Sequence, residues 1–377
     1  MSLKTAMNQE IIEEQERLNP GFKAARDWDF SRRPDEVCLA TFWRQATPGT
    51  TYWRCHVPAK YMPAQVNNFG EGVVEYEEEN DRLILHEQRG VAIWQFLGDD
   101  ARTRFAMKQH AQGIPSVLEL DDNYLVKPTA SGLGVWAKTH EGAMERLRQG
   151  IGSGYSIEAH KAVLGEFDAI ICSTERLADA YAKWNDNIFV CENSIDPTDW
   201  QVMRLPQRET PVFGYYGSAG HHRDFATMKK AFKRLSRQRT WTFVGFRYPG
   251  WNGNQAPWVN GILPARQNLA LLDIGVCPLY PDNFSQCKSD IKAMEYAMAG
   301  VLPLVSKTEP YRWWWDDMRW PFVAKDDAEW DTLLQDVAKF TPDEVAYHAE
   351  KAKALVLEHR TIQDNVWKWR EVIEDVT

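Results

Sequence analysis

Short apolar runs alternate along this chain with longer segments whose apolar residues recur at helical spacing. In the first half the runs fall at residues 37–41, 91–96, 116–120, 169–172 and 188–191. In the second half they fall at 212–216, 241–246, 274–279 and 301–305. Near-continuous apolar runs of this length suit strands covered on both faces, as in a parallel sheet. Residues 73–74, 83–85 and 258–263 are weaker strand candidates. Helical spacing predicts helices over 99–112, 157–167, 175–184, 222–237, 265–272, 288–299, 326–357 and 362–374. Residues 42–62, rich in aromatics and arginine, read as a long loop. Residues 195–210, with two prolines and mixed charge, read as a linker. The strand–helix alternation therefore runs twice, predicting two Rossmann-like α/β domains at 31–200 and 201–360. A helical extension (1–30) precedes them and a last amphipathic helix (361–377) follows.

Length agrees, since 377 residues exceed what one compact core usually holds. A net charge of −9 argues against the whole molecule being an electrostatic nucleic-acid binder and leaves room only for a local basic groove. No apolar run reaches membrane-spanning length, and residues 1–20 lack a signal-peptide core, so a cytoplasmic protein without membrane insertion is expected. The six cysteines show no C-x-x-C spacing and read as buried free thiols of a reducing compartment. The 17 tryptophans are expected mainly in the core, although such rings also stack on sugars or bases.

Chemistry concentrates in residues 273–306, which read as strand, loop, helix, strand. On the helix, Ile291, Met294 and Met298 share one face. Lys288, Lys292 and Glu295 share the adjacent face at spacings of four and three. The first helical turn carries unpaired N–H groups suited to an anion. A solvated, salt-bridged face explains Lys292 with Glu295, but not the Ser-Gln-Cys-Lys-Ser loop that follows a buried strand. The segment resembles the donor-sugar signature of retaining glycosyltransferases with two facing Rossmann-like domains, the glycogen-synthase-like GT-B group. The Phe-x-x-x-Lys-Ser form at 284–289 is similar to bacterial and phage members. The resemblance covers most of the chain and is specific over 212–312. It implies that Glu295 binds the donor ribose and that Lys288 and Ser289 hold the diphosphate. Cys287 stands where the signature has its first glutamate. The resemblance also implies a final helix crossing back to the first domain.

Further candidates lie at other strand ends. Residues 213–218 read as a strand closing in a Gly217-Ser218 turn, where small residues let backbone N–H groups approach a phosphate. The resemblance assigns the basic residue after this turn, Arg223, to the diphosphate; the alternative is a helix start with Arg223 on the surface. His221 and His222 lack the neighbours of a metal site, and no metal is expected. Residues 47–54 follow the first strand, where such sheets place ligand contacts, and lack G-x-G-x-x-G. They resemble Gly-x-x-Tyr-x-Arg loops of related transferases, making Gly49 a donor candidate and Arg54 an acceptor candidate. Asp121 and Asp122 end another strand and suit either an acceptor hydroxyl or a cap. Thr174 and Glu175 read as a helix cap.

Together these imply metal-independent transfer from a UDP- or GDP-linked sugar, as co-substrate and without a bound cofactor, to a hydroxyl. Arg223 and Lys288 would stabilise the leaving diphosphate. The acceptor stays open between hydroxymethylpyrimidine in phage DNA, which the basic aromatic segment 44–60 would clamp, and a cell-surface saccharide or lipid-linked sugar. The missing glutamate leaves a third reading, a sugar-nucleotide-binding module without catalysis.

Overall fold

The computed structural model describes residues 38–44, 48–68, 74–77, 82–85, 89–95, 113–126, 160–161, 163–200, 208–217, 221, 223–245, 253–256 and 268–377. Ser218, His222, the whole 99–112 helix, the 258–263 strand and the 1–30 extension lie outside them.

Two six-stranded sheets organise the described residues. The first is built from β1 (Ala40–Arg44), β2 (Ala64–Asn68), β5 (Val91–Gln95), β6 (Ser116–Leu120), β7 (Ala169–Cys172) and β8 (Ile188–Val190), in the order β2-β1-β5-β6-β7-β8. Between β2 and β5 the chain forms a small antiparallel hairpin, β3 (Val74–Glu77) with β4 (Arg82–Leu85). The second sheet contains β9 (Phe213–Tyr216), β10 (Trp241–Val244), β11 (Asn254–Ala256), β12 (Ile274–Cys277), β13 (Leu302–Ser306) and β14 (Val323–Ala324), in the order β11-β10-β9-β12-β13-β14. Every neighbouring pair in both sheets is parallel. The second order is the doubly wound one, reversing direction between β9 and β12, so a crevice opens at the carboxyl ends of those strands.

The apolar runs become strands because both faces are covered. Every residue of β5, β6, β7, β9, β10, β12 and β13 is buried. Tryptophan is largely core: Trp43 stacks on Trp94 at 5.6 Å in the first sheet, and Phe213, Phe232 and Trp241 interlock in the second. The helices are α1 (Glu175–Tyr181), α2 (Lys229–Leu235), α3 (Ile291–Met298), α4 (Asp327–Val337), α5 (Pro342–His359) and α6 (Ile362–Val376). The single helix expected over 326–357 is two. A Thr341–Glu344 capping box with Pro342 at the first helical position starts a new one there.

Segment 42–62 corrects the loop expectation. It completes β1 and then winds through helical turns at Pro48–Thr51, Tyr52–His56 and Val57–Ala59. Tyr52, Trp53, Arg54 and Cys55 are all buried. Four consecutive buried side chains erase the polar–apolar period by which an amphipathic helix is recognised. Likewise, the expected 222–237 helix begins as a 3-10 turn, Asp224–Met228, before α2.

α6 packs back on the first half of the chain. Ile362 N–H donates to the Ile195 carbonyl (2.8 Å), Lys368 pairs with Glu192 (2.5 Å), and Trp369 packs against Phe42 at 5.7 Å. No helix among the described residues is long and apolar enough to cross a membrane.

Candidate functional site

A cleft of about 280 Å³ is walled by strand ends from both sheets. Thr50, Trp53 and Arg54 follow β1, Asp121 and Asp122 follow β6, and Asn193 follows β8. On the other side Tyr216 and Gly217 close β9, Pro278 and Leu279 follow β12, and Lys288, Ser289, Ile291, Lys292 and Glu295 come from the loop and helix of α3. His221 and Tyr311 complete the lining. Of the residues singled out from sequence, Arg54, Asp121, Asp122, Gly217, Lys288, Ser289 and Glu295 are thus brought together.

Two glycines set how closely this wall packs. At Gly275 in β12, a Cβ would lie 2.6 Å from the Tyr296 ring of α3. The bare backbone lets Tyr296 cross the sheet, where its hydroxyl accepts a hydrogen bond from Tyr216 N–H at 2.8 Å. At Gly217 a Cβ would lie 2.7 Å from Lys292 Nζ, so the glycine leaves room for the ammonium. Lys292 donates to the Tyr216 carbonyl at 2.5 Å and sits 4.4 Å from the Tyr215 ring centre. Burial pulls its pKa below the usual lysine value. Among the described residues Lys292 is therefore a cation held at the strand end by aromatic faces and a carbonyl rather than by a carboxylate hydrogen bond.

Lys288 differs. Its Nζ donates to Asp122 Oδ1 at 2.8 Å, across the cleft, and lies 4.5 Å from the Phe284 ring centre. Burial and the neighbouring Asp121 push the Asp122 carboxyl up to about 6, against the pull of Lys288. Burial works against the Lys288 charge, and the Asp122 partner outweighs it, so the ammonium is held above its ordinary value. Asp121 accepts from Tyr124 Oη at 2.7 Å.

Arg54 lines the cleft but is 1% exposed. Its Nε donates to Glu119 at 2.6 Å, and its Nη1 donates to the Cys191 carbonyl (2.6 Å) and Asn193 Oδ1 (3.3 Å). Asn193 in turn donates to Ser289 Oγ at 2.7 Å. Burial drives the Glu119 carboxyl up to about 7 although Arg54 opposes it. Arg54, the expected acceptor contact, is thus held in the first-sheet wall by these partners, and Asn193 links it to Ser289.

Arg223 is not among the cleft-lining residues. It donates to Asp282 at 3.1 Å and lies 3.7 Å over the Tyr280 ring. Gly49 sits in the Pro48–Thr51 turn, and its neighbour Thr50 takes the lining position. His221 Nδ1–H donates to Asp224 Oδ2 at 2.8 Å, and burial with nearby Lys292 keeps the imidazole below the usual histidine pKa. Sequence reasoning named Lys292 on the helix face and weighed His221 for a metal, but gave neither a donor role, and both line the cleft. For Lys292 the signal was its spacing with Lys288 and Glu295; for His221 it was the His-x-x-Asp spacing.

Cys287 is not among the cleft-lining residues. It is 2% exposed, its thiol accepts from Asn123 Nδ2 (3.4 Å) and donates toward the Asn283 carbonyl (3.4 Å). Its own carbonyl accepts from Thr174 Oγ1 at 3.0 Å, while Thr174 also caps α1 by accepting from Leu177 N–H. Asp290, the next buried group, accepts two bonds of 3.0 Å from Arg360 and one of 3.1 Å from Trp314 Nε1. The α3 start is therefore fixed to the first sheet and to the chain's end together. Among the described residues no group of three His, Cys, Asp or Glu side chains is placed to hold a metal ion.

No protein-family model matches the sequence, and no curated protein sequence matches it. Solved structures do. HepE of Anabaena, in complex with UDP-glucose, matches at 13% identity and a TM-score of 0.57, covering 89% of this chain and 98% of that one. Sucrose-phosphate synthase of Thermosynechococcus elongatus matches at 11% identity and a TM-score of 0.57, with the same coverages of 89% and 98%. TarM matches at 10% identity and a TM-score of 0.53, covering 81% of this chain and 62% of TarM. At these identities the likeness is one of fold. The chain has the GT-B fold, two parallel-sheet halves with a cleft between their strand ends.

Proposed function

We propose that this chain is a retaining glycosyltransferase that moves a sugar from a UDP- or GDP-linked donor to a hydroxyl without a metal ion. The observation that carries the reading is the placement of Lys288, in the loop before α3, with Lys292 and Glu295 on α3 itself, beside Gly217, at the switch point of the second sheet. As the bond to the diphosphate breaks, negative charge grows on the leaving oxygens. Lys288, Lys292 and the α3 N-terminus supply fixed positive charge there. Glu295, further along the same face, suits the two hydroxyls of a ribose. The UDP-glucose complex of HepE, which shares the fold, supports a donor of this class. Asp121 and Asp122 stand opposite, on the acceptor side.

The acceptor is a hydroxyl compound. The nucleic-acid clamp expected at 44–60 loses its side chains: Tyr52, Trp53 and Arg54 are buried, and Lys60 is held by Asp196 and Asp199 at 3.0 and 2.5 Å. This favours a saccharide over DNA. Calorimetry with UDP and GDP in a chelator tests the donor reading, with saturable binding expected; no binding of either by folded protein overturns it. Donor hydrolysis and transfer assays with hydroxymethylated DNA and with oligosaccharides then separate the acceptors. Binding without hydrolysis or transfer would make the chain a sugar-nucleotide-binding module.

A further inference from the structure

One cation of the donor site is already occupied by a carboxylate from the opposite sheet. Lys288 and Asp122 are each 23% exposed and meet at 2.8 Å, on either side of the cleft. A diphosphate entering beside the α3 N-terminus and Lys288 meets this carboxylate as a competitor, because an ammonium with a full carboxylate contact gains less from a second anion. Among the described residues Lys292 meets no such competitor: its hydrogen-bond acceptor is a neutral carbonyl. We infer that Asp122 is displaced from Lys288 by the donor diphosphate and then positions the acceptor hydroxyl, so that the acceptor site is completed only after the donor is bound. The inference rests on the donor reading above.

The chemistry of the pair supports an exchangeable contact. Its surroundings already work against the Asp122 charge, since burial and Asp121 both raise that carboxyl. Among the described residues Lys288 is the one side-chain donor to the Asp122 carboxylate, whereas the buried carboxylate Asp290 is fixed by three hydrogen bonds. Once Lys288 turns to the diphosphate, a hydroxyl is the natural replacement donor. A compulsory order also protects the donor, because the group that binds the attacking hydroxyl is masked until there is a sugar to transfer.

The test is a calorimetric double-mutant cycle with UDP and GDP, using whichever binds the unaltered protein. D122N should bind the diphosphate about three- to fivefold more tightly, the scale of a partly exposed ion pair no longer competing. K288A should bind it more weakly, and D122N should add nothing in the K288A background. Steady-state turnover of D122N should fall while its donor affinity rises, a split that a misfolded cleft does not give. D122S serves if the asparagine variant is unstable. Unchanged or weaker diphosphate affinity in the folded Asp122 variant overturns the inference, as does equal tightening in the K288A background. Failure of the unaltered protein to bind either nucleotide overturns the donor reading itself, and this inference with it.

Discussion

The two walls of the cleft each carry cations, and they use them differently. On the first-sheet wall Arg54 is almost wholly buried and bound to Glu119, Cys191 and Asn193. On the second-sheet wall Lys288 keeps about a quarter of its side-chain surface, and Lys292 rests on a carbonyl and two aromatic rings. A buried, multiply bonded guanidinium is a scaffold; a part-exposed ammonium at a strand end is available to a ligand. The sequence offers Arg54 as an acceptor contact and Lys288 as a donor contact, and burial separates them.

The largest expected effect tests the scaffold side. Arg54→Ala strands the Glu119 carboxylate in the core and should cost about 3–5 kcal/mol of stability, the scale for breaking a buried pair. Urea unfolding monitored by tryptophan fluorescence measures it. A loss below about 1 kcal/mol, as for an exposed pair, would break the comparison and return Arg54 to the ligand side.

On the ligand side, Lys288→Ala and Lys292→Ala should each slow transfer on the order of a hundredfold, the cost of one transition-state charge partner. Their unfolding midpoints should stay near that of the unaltered protein. Arg223→Ala sharpens the contrast. Held by Asp282 and Tyr280 outside the cleft lining, it should slow transfer less than about tenfold. An Arg223 effect equal to that of Lys288 would mean that the second wall rearranges when the donor binds.

The strands were legible because their signal is local. Residues 116–120 and 169–172 are continuous apolar runs, and they are β6 and β7 without a shift. The Lys292–Glu295 pair on α3 was legible for the same reason, through its spacing, whereas Lys288 lies in extended backbone just before the helix rather than on its face. What sequence could not supply was pairing across the chain. Asp122 meets Lys288 from 166 positions away, and Arg54 meets Glu119 from 65. Neither separation leaves a periodic trace. Segment 42–62 was misread for a related reason, since its aromatic and arginine side chains turn inward rather than alternate.

A smaller effect concerns Glu295. Replacing it by alanine should weaken nucleotide binding by about 1.5–3 kcal/mol, the scale of hydrogen bonds to a charged group. Comparing UDP with 2′,3′-dideoxy-UDP locates the contact. If the alanine variant discriminates the two as strongly as the unaltered enzyme does, the ribose is held elsewhere.

The smallest expected effect is at Cys287, where the resembled signature carries a carboxylate. That substitution reads from sequence as a gap in the donor site. In the structure the thiol is buried against Asn123 and the Asn283 carbonyl, joining the second half of the chain to the first. Its size and bonding, rather than its acidity, fix its role, and burial drives the thiol pKa upward, away from thiolate chemistry. A serine hydroxyl can accept from Asn123 and donate to Asn283 in the same place. Cys287→Ser should therefore retain most turnover and lose at most about 1 kcal/mol of stability, the net worth of one such hydrogen bond. Cys287→Glu, which restores the signature residue in name, should do worse than serine, because it forces an unpaired carboxylate between the two halves. Parallel turnover and thermal-unfolding measurements on the two variants decide the matter. A serine variant that binds nucleotide but no longer turns over would give the thiol a part in the reaction. A glutamate variant that outperforms it would mean that the α3 loop rotates to face the donor in the working enzyme.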